Sequence, residues 1–362
     1  MFNTTDVPKS SRIPKLVEAL YAHMPVIESA RAKLITESYK ATEGQPTITR
    51  RAEAFAHILR NIPIIIRDNE LIVGSSTIAP RGCQTFPEFS YQWLEDELDT
   101  VATRTADPFY IAEETKAELR EVHKYWKGKT SSELATSYMA PEAIKAIEHN
   151  IFTPGNYFYN GVGHVTVKYW EVLETGFEGI MEKAQKELDG CSVGDGNYAR
   201  KSHFLEAVIL SCKAVIDYAG RYAKLAQEMA AQTSDPVRKQ ELFVIAENCS
   251  RVPAKGAQNF YEACQSFWFV QQLLQMESSG HSISPGRFDQ YMWPYLEADK
   301  SISKEFAQEL IDCLFVLLNH VNKTRDDVSD QAFAGYAVFQ NFGVGGQTED
   351  GLDATNPVSY MC

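Results

Sequence analysis

Residues 256–287 read GAQNFYEACQSFWFVQQLLQMESSGHSISPGR, a long apolar segment followed by a loop rich in serine, glycine and histidine. The first part, 256–276, has apolar residues at helical spacing and predicts a buried helix. Its inward side chains are predicted to be Phe260, Cys264, Phe267, Trp268 and Leu274. The second part, 277–287, places polar donors beside glycine directly after that helix. Loops carried on a rigid helical scaffold are where functional residues concentrate, so this loop is the first candidate site.

The rest of the chain repeats the helical pattern with few strands. Apolar residues recur at helical spacing between Ile13 and Tyr39, and again after Pro46 as far as Ile62. Further helices are predicted near residues 91–101, 115–126, 141–149, 170–188, 201–230, 235–249 and 303–322. Ile64–Ile66 and the alternating residues 165–168 have the character of strands. The sequence therefore predicts a predominantly helical chain with short strands.

Composition and charge narrow the class of protein. The 362 residues are 44% hydrophobic and include 35 basic and 48 acidic side chains, for a net charge of −13. This charge repels a phosphate backbone, so nucleic acid is not expected as a partner. The basic clusters Thr49–Arg51 and Lys323–Arg325 are short and are interpreted as solvated surface. No apolar run has membrane length and the first residues lack a signal pattern, so we expect a cytoplasmic protein with no membrane partner.

The cysteines and acidic residues give no sign of a metal site. Seven cysteines are scattered along the chain without a C-x-x-C pair. This spacing argues against a disulfide framework, a zinc ribbon and an iron–sulfur cluster held by this chain, and favours reduced thiols. The acidic groups at 95–97 and 326–327 are interpreted as solvated helix ends. We therefore expect that the chain binds no metal.

Two loops contain histidine beside glycine. His164 follows Gly161–Gly163 and precedes a predicted strand, and an imidazole there could act as a general acid or base. A hydrogen-bonded structural histidine is the alternative that the residues alone favour. His281 and Ser282 are adjacent, and neighbouring side chains of an extended backbone point apart, so a nucleophile–base pair is disfavoured. They are better interpreted as two hydrogen-bonding groups of a pocket, or as groups that cap a helix end.

The C-terminal part of the chain adds two expectations. The run Gly343–Gly346 lacks the lysine of a phosphate-binding loop and is interpreted as a tight turn. No repeat or linker divides the chain, so residues 1–362 are treated as one unit. The last residues, 358–362, form an apolar stretch without a trailing polar tail, which we interpret as an interruption and not a natural terminus.

Several stretches together resemble the N-terminal half of the glycyl radical enzymes, the family that includes pyruvate formate-lyase. They are Thr42–Pro46, Ile66–Gly74, Gly161–His164, Gly280–Ser284, Arg287–Tyr291, Phe260–Gln265 and Val344–Gln347. The resemblance therefore extends along almost the entire chain. Within the family, the histidine loops are most similar to those of the cobalamin-independent glycerol and propane-1,2-diol dehydratases.

The resemblance implies a fold and a domain assignment. The family fold is an α/β barrel of two half-barrels of parallel strands surrounded by helices, with a cysteine loop and a glycine loop meeting inside. Residues 1–362 would be the N-terminal portion of a pyruvate formate-lyase-like domain that is truncated at its C-terminus. A helix-rich chain with few strands is compatible with this portion.

The resemblance also implies a reaction and assigns residues to it. In the family mechanism a glycyl radical oxidises a cysteine to a thiyl, which abstracts hydrogen from the substrate carbon that bears the first hydroxyl. His164 would donate a proton to the neighbouring hydroxyl so that it leaves as water. His281 and Ser282 would hold the substrate hydroxyls, and Asn156 is a further candidate for the same pocket. The implied substrate is a small polyol.

Two loops that are typical of the family are missing from this sequence. It contains neither a Gly-Cys-Val-Glu type loop nor an Arg-Val-Ala-Gly-Tyr type loop, so none of the seven cysteines is assigned a catalytic role. The glycyl radical would belong to the missing C-terminal part and would be installed by an S-adenosylmethionine iron–sulfur activating enzyme. A full-length homodimer is implied. Phe339 lies where some glycerol dehydratases have tyrosine, which leaves the choice of substrate open.

Three hypotheses follow. The leading one is a glycyl radical lyase that eliminates water from a glycerol-like vicinal diol. A second keeps the family but changes the reaction, to formate acetyltransferase-like carbon–carbon cleavage or to carbon–nitrogen cleavage. A third is a non-catalytic fragment or subunit.

Overall fold

The computed structural model describes residues 10–149, 151–152, 160–161, 163–279, 282–336 and 338–362. Helices dominate these residues. They are α1 Arg12–Tyr21, α2 Ala30–Ala41, α3 Thr47–Asn61, α4 Gln92–Glu97, α5 Glu113–Trp126, α6 Ser131–Ser137, α7 Pro141–Glu148, α8 Tyr169–Asp189, α9 Tyr198–Gln232, α10 Pro236–Arg251, α11 Phe260–Ser278, α12 Phe288–Ala298, α13 Lys304–Leu318, α14 Asp327–Phe333 and α15 Pro357–Met361. The helices expected near residues 91–101, 115–126, 141–149, 170–188, 201–230, 235–249 and 303–322 are confirmed as α4, α5, α7, α8, α9, α10 and α13, with ends shifted by a few residues.

The strands are short and pair in parallel. They are β1 Ile27–Glu28, β2 Cys83–Gln84, β3 Val165–Thr166, β4 Ile283–Ser284, β5 Gly286–Arg287 and β6 Phe342–Gly343. The parallel pairs are β1 with β2, β3 with β4, and β5 with β6. Parallel strands require long crossover connections, which here contain the helices.

Helix α11 separates the two clusters of the hydrophobic core. Phe269, Leu273 and Met276 pack in the cluster formed with α2, α3, α5, α9 and α10. Phe267 and Trp268 pack in the other cluster, with α8, α12 and α13. Because both faces of α11 are covered, its polar side chains are buried too and need internal partners. The buried helix predicted from residues 256–276 is confirmed, and it begins at Phe260 because the Asn259 side chain caps it by accepting from the Glu262 amide.

Two predictions of secondary structure were wrong. The helical pattern between Ile13 and Tyr39 forms α1, β1 and α2, because Pro25 cannot continue a helix and its neighbour is driven to an extended conformation. Ile64–Ile66 forms no strand. Just before this segment, the Ile62 carbonyl accepts a hydrogen bond from the Arg221 guanidinium at 2.6 Å.

The basic cluster Lys323–Arg325 was wrongly interpreted as surface. Lys323, Thr324 and Arg325 are 4%, 6% and 3% exposed. They lie in an irregular segment after α13, where the Thr324 amide donates to the Cys83 thiol at 3.3 Å. Arg325 forms an ion pair with Asp330, which is fully buried. The segment is therefore internal, next to the loop that follows α11.

Candidate active site

Three backbone segments run side by side at the point where the histidine loops meet. Val165 pairs with Ile283 in the parallel ladder of β3 and β4, and the Val165 amide donates to the Ser282 carbonyl at 3.2 Å. On the other side, the Ser282 amide donates to the Val338 carbonyl at 2.8 Å. Residues 164–166, 282–287 and 338–343 are therefore neighbours in space although they are far apart in sequence.

Each of these segments contains one non-glycine residue in the left-handed backbone region. The φ angles are 59° at His164, 57° at Ser282 and 53° at Phe339. For residues with a Cβ atom this conformation costs about 1–2 kcal/mol each. Strained residues of this kind cluster at functional sites, where the surrounding structure holds them in place. The strained residues of the three neighbouring segments therefore mark one candidate functional site.

The Ser282 hydroxyl is the most informative polar group of the site. Its side chain is 2% exposed, and its Oγ has no hydrogen-bond partner among the described residues. An unsatisfied buried hydroxyl costs about 1–3 kcal/mol, so each such group calls for an explanation. A ligand hydroxyl that occupies the position next to Ser282 would satisfy it.

Gly161 allows the His164 segment to lie against the end of α11. The Gly161 amide donates to the Ser279 Oγ at 3.2 Å, and Ser279 is itself left-handed with φ 61°. A Cβ atom on Gly161 would lie 2.1 Å from the Ser278 carbonyl oxygen. Only glycine fits at that distance, which explains in physical terms why a glycine precedes His164 here.

The structure places two of the four candidate site residues close together. His164 and Ser282 directly precede the Cα partners Val165 and Ile283. The His164 side chain is exposed, whereas Ser282 is buried. His281 and Asn156 lie outside the described residues, so their roles stay predictions.

A buried glutamine network, not expected from the sequence, supports the three segments. The side-chain Nε2 of Gln271 donates to the Ile283 carbonyl at 2.9 Å and to Gln340 Oε1 at 2.7 Å. The Oε1 of Gln271 accepts from the Tyr169 hydroxyl. Gln340 in turn donates to the Leu318 carbonyl at 3.0 Å. Gln340 is adjacent to Phe339, so the network fixes the position of that residue. Sequence periodicity treats Gln271 as a polar interruption of a helix and gives no sign of these bonds.

Lys323 is a second supporting residue that sequence reasoning missed. Its Nζ donates to Ser279 Oγ at 3.4 Å, beside a small cavity of about 40 Å³ that Cys83 and Thr324 also line. Burial, and secondarily the charge of Arg325, lower the pKa of Lys323 to about 7. The Ser279 hydroxyl therefore contacts both Lys323 and Gly161, and it joins three parts of the chain.

The glycine-rich run near the C-terminus was expected to form a tight turn, but Gly343 lies in strand β6 and residues 344–346 are irregular. Gly345 and Gly346 have φ 68° and 85°, and the Gly345 amide donates to Asp289 Oδ2 at 2.6 Å. This amide is already satisfied within the protein and does not point to a bound phosphate. Within the described ranges, no group of three or more histidine, cysteine, aspartate or glutamate side chains could hold a metal ion.

Comparison with known proteins identifies the family. The pyruvate formate lyase-like family model matches residues 5–362. The chain belongs to this family. The resemblance noted from the histidine loops and their neighbouring motifs is thereby confirmed, as is the helix-rich glycyl radical enzyme fold.

Solved structures of similar proteins superpose closely. A structure from a study of 1,2-propanediol dehydration in Roseburia inulinivorans has a TM-score of 0.98 and 63% identity, and the match covers 100% of this chain and 44% of that one. The glycerol-bound form of the B12-independent glycerol dehydratase from Clostridium butyricum has a TM-score of 0.96 and 54% identity, covering 99% and 46% of the two chains.

Among curated proteins, the chain is similar to the (2S)-3-sulfopropanediol dehydratase of Klebsiella oxytoca, with 35% identity over 97% of this chain and 44% of the relative. It is also similar to the isethionate sulfite-lyase of Oleidesulfovibrio alaskensis, with 36% identity over 97% and 44%. The chain thus spans less than half the length of these relatives. In the part of the chain that the structure describes, no helix is long and apolar enough to cross a membrane.

Proposed function

We propose that this chain is the substrate-binding portion of a glycyl radical dehydratase that removes water from a small vicinal diol. The observation that carries the proposal is the placement of His164 and Ser282 on adjacent parallel segments, where the buried Ser282 hydroxyl has no partner among the described residues. A vicinal diol has two neighbouring hydroxyls. One side chain can therefore hold the first hydroxyl while a second side chain protonates the other. The names of the two similar solved structures, which concern propane-1,2-diol and glycerol, support the same choice.

The residues present fit such a substrate. Ser282 accepts or donates one hydrogen bond, so it can fix one hydroxyl of the diol. His164 then donates a proton to the departing hydroxyl, because hydroxide is a poor leaving group and water is a good one. His281 and Asn156 are proposed to complete the pocket. Holding both hydroxyls determines which one leaves and aligns the carbon that reacts.

The remainder of the enzyme supplies the radical. When present, the glycyl radical and its cysteine provide hydrogen abstraction at a carbon that no acid or base of this chain could deprotonate. We further propose that an S-adenosylmethionine iron–sulfur enzyme installs the radical, that the full-length protein is a cytoplasmic homodimer, and that this chain itself binds no metal.

The test is replacement of His164 by Gln in the full-length enzyme, defined as the polypeptide that joins this chain to its cysteine and glycine loops. Glutamine keeps a polar side chain but cannot donate a titratable proton. We expect loss of diol dehydration while the enzyme still exchanges hydrogen with the substrate. Full activity of His164→Gln would refute the role of His164.

The alternative of a non-catalytic subunit has its own test. An intact mass near 40.7 kDa for the native protein from anaerobic cells would mean that the chain acts as a separate subunit. A mass about twice as large is expected here, since the relatives are more than twice as long as the matched part.

A further inference from the structure

Two arginines, the buried Arg31 and the partly buried Arg51, bind the C-terminal end of α11, immediately before the loop that contains Ser282. The last four carbonyls of a helix have no partner within it. Arg31 Nε donates to the Met276 carbonyl at 2.7 Å, and Arg51 Nη2 donates to the Glu277 carbonyl at 2.5 Å. A cation at this end also interacts favourably with the helix dipole.

The same arginines belong to an ion network, which we call the α11 clamp: Arg31, Arg51, Glu88 and Glu277. Arg31 and Glu88 are buried, and Arg51 and Glu277 are partly buried. Arg31 binds both carboxylate oxygens of Glu88, at 2.6 and 3.2 Å, and Arg51 reaches Glu88 at 3.2 Å. Arg51 Nε also binds Glu277 Oε1 at 2.5 Å. Arg31 is fully buried and stacks on the Phe86 ring at 3.7 Å. Burial raises the pKa of Glu88, but the two arginines outweigh it and hold that pKa below its usual value.

Burying charges such as those of Arg31 and Glu88 is expensive, and a fold that needs only stability gains little from it. The α11 clamp instead fixes the position of one helix end from α2, α3 and the segment near residue 88. Planar guanidinium groups suit this purpose because their donors form a rigid fork. The free-energy cost of burying these charges is therefore explained if the site requires a fixed position of the C-terminal end of α11.

That position controls both loops of the candidate site. Ser278 provides the carbonyl against which Gly161 packs, and Ser279 provides the hydroxyl that accepts from the Gly161 amide. Gly161 begins the segment that leads to His164, and Ser279 begins the segment that leads to Ser282. A small shift of the last turn of α11 would therefore move His164 and Ser282 together.

We propose that Arg31 and Arg51 are positioning residues that set the geometry of the site through the end of α11. The proposal rests on the proposed function in that His164 and Ser282 are taken as the substrate-binding pair. Neither arginine is assigned a contact with the substrate. The clamp acts at the backbone carbonyls of Met276 and Glu277.

The test compares Arg51→Lys with Arg60→Lys in the full-length enzyme. Lysine keeps the charge but cannot reach the Glu277 carbonyl, the Glu277 carboxylate and Glu88 with one rigid fork. Arg60 is on the same helix, α3, and forms an exposed ion pair with Asp217, so its replacement is the matched control. Hydrogen exchange of the Val165 and Ser282 amides is measured in both variants, without substrate.

We expect exchange at these two amides to be about tenfold faster in Arg51→Lys and unchanged in Arg60→Lys. With an active enzyme, Arg51→Lys should also raise KM for the diol and lower kcat/KM by about tenfold to a hundredfold, with the radical content unchanged by electron paramagnetic resonance. Unchanged exchange in Arg51→Lys would overturn the proposal whatever the substrate. If exchange is faster in Arg51→Lys but the wild-type enzyme does not convert diols, the proposed function is refuted and the proposal for the α11 clamp still holds.

If Arg51→Lys does not fold, Glu277→Gln is used in the same measurements. Glutamine retains an acceptor for Arg51 Nε but removes the charge, so the same changes are expected at a smaller size. Exchange equal to wild type in Glu277→Gln would then contradict the proposal.

Discussion

His164 and Ser282 occupy matching positions on two adjacent parallel segments, each one residue before a paired strand residue and each with a left-handed backbone. Their φ angles, 59° and 57°, differ by little, and the Val165 amide bonds to the Ser282 carbonyl between them. Parallel neighbours lie about 4.8 Å apart, which is the scale on which one small polyol contacts two side chains. The relationship brings together two residues that are 118 positions apart, as the proposed function requires.

Replacement of Ser282 by Ala should raise stability while it weakens substrate binding. The lost hydroxyl has no described partner, so its removal is expected to stabilise the protein by about 1 kcal/mol. KM for the diol should rise by about tenfold, since one hydrogen bond to the substrate is lost. Thermal unfolding and steady-state kinetics measure the two effects. The control is Ser266→Ala, whose Oγ is equally buried and unpartnered within α11 and which should stabilise the protein without a change in KM.

Replacement of Gly161 by Ala should damage the site and the fold together. The new Cβ would meet the Ser278 carbonyl oxygen at 2.1 Å, and backbone cannot move aside as a flexible side chain can. We expect a loss of about 1–3 kcal/mol in unfolding free energy and a large loss of activity. Gly220→Ala in α9 is the control, because nothing lies within 4 Å of the added Cβ. It should stabilise the protein by about 0.5–1 kcal/mol, and an equal effect of both changes would argue against the packing described here.

Replacement of Phe339 by Tyr should change the preference between substrates. Phe339 packs edge-on against Phe333, at 6.0 Å between ring centroids, on the segment next to Ser282. An apolar ring suits the methyl group of propane-1,2-diol, whereas a phenol can bind the third hydroxyl of glycerol. We expect the ratio of kcat/KM for glycerol over propane-1,2-diol to rise by about tenfold. A ratio that stays at the wild-type value would place Phe339 away from the substrate.

Lys323 should make stability depend on pH in a recognisable direction. Its pKa is lowered from 10.5 to about 7 by burial, so between these values the unfolded state binds more protons than the folded state. Stability therefore rises as pH increases from about 7 to about 10, and because one pKa unit corresponds to about 1.4 kcal/mol, a rise of at least that size is expected. Lys323→Met should lose this rise, as measured by urea unfolding at several pH values. Lys224→Met, at an exposed position, should keep it.

Local patterns in the sequence were sufficient for most helices and for the loops of the site. Helix α11 was evident because its apolar side chains cover two faces, and the glycine–histidine loops stood out because they interrupt long helices. The contacts across the chain were not predictable in this way. The Lys323–Ser279 and Arg51–Glu277 bonds join residues 44 and 226 positions apart, and a lysine or arginine in a short basic cluster looks like solvated surface until its partner is known.

The proton-donating role of His164 was a prediction from resemblance, and it stays one. The structure adds its place beside Ser282, which spacing along the chain could not provide, because the two loops are brought together only by a parallel ladder of two residue pairs. Short ladders of this kind leave little periodicity in a sequence.

Product analysis tests the central claim most directly. The full-length enzyme is activated anaerobically and supplied in turn with propane-1,2-diol, glycerol and isethionate, and the products are identified. Elimination of water predicts propanal from propane-1,2-diol or 3-hydroxypropanal from glycerol, with loss of product in His164→Gln. Release of sulfite from isethionate without dehydration of either diol, from an enzyme that carries its radical, would contradict the account.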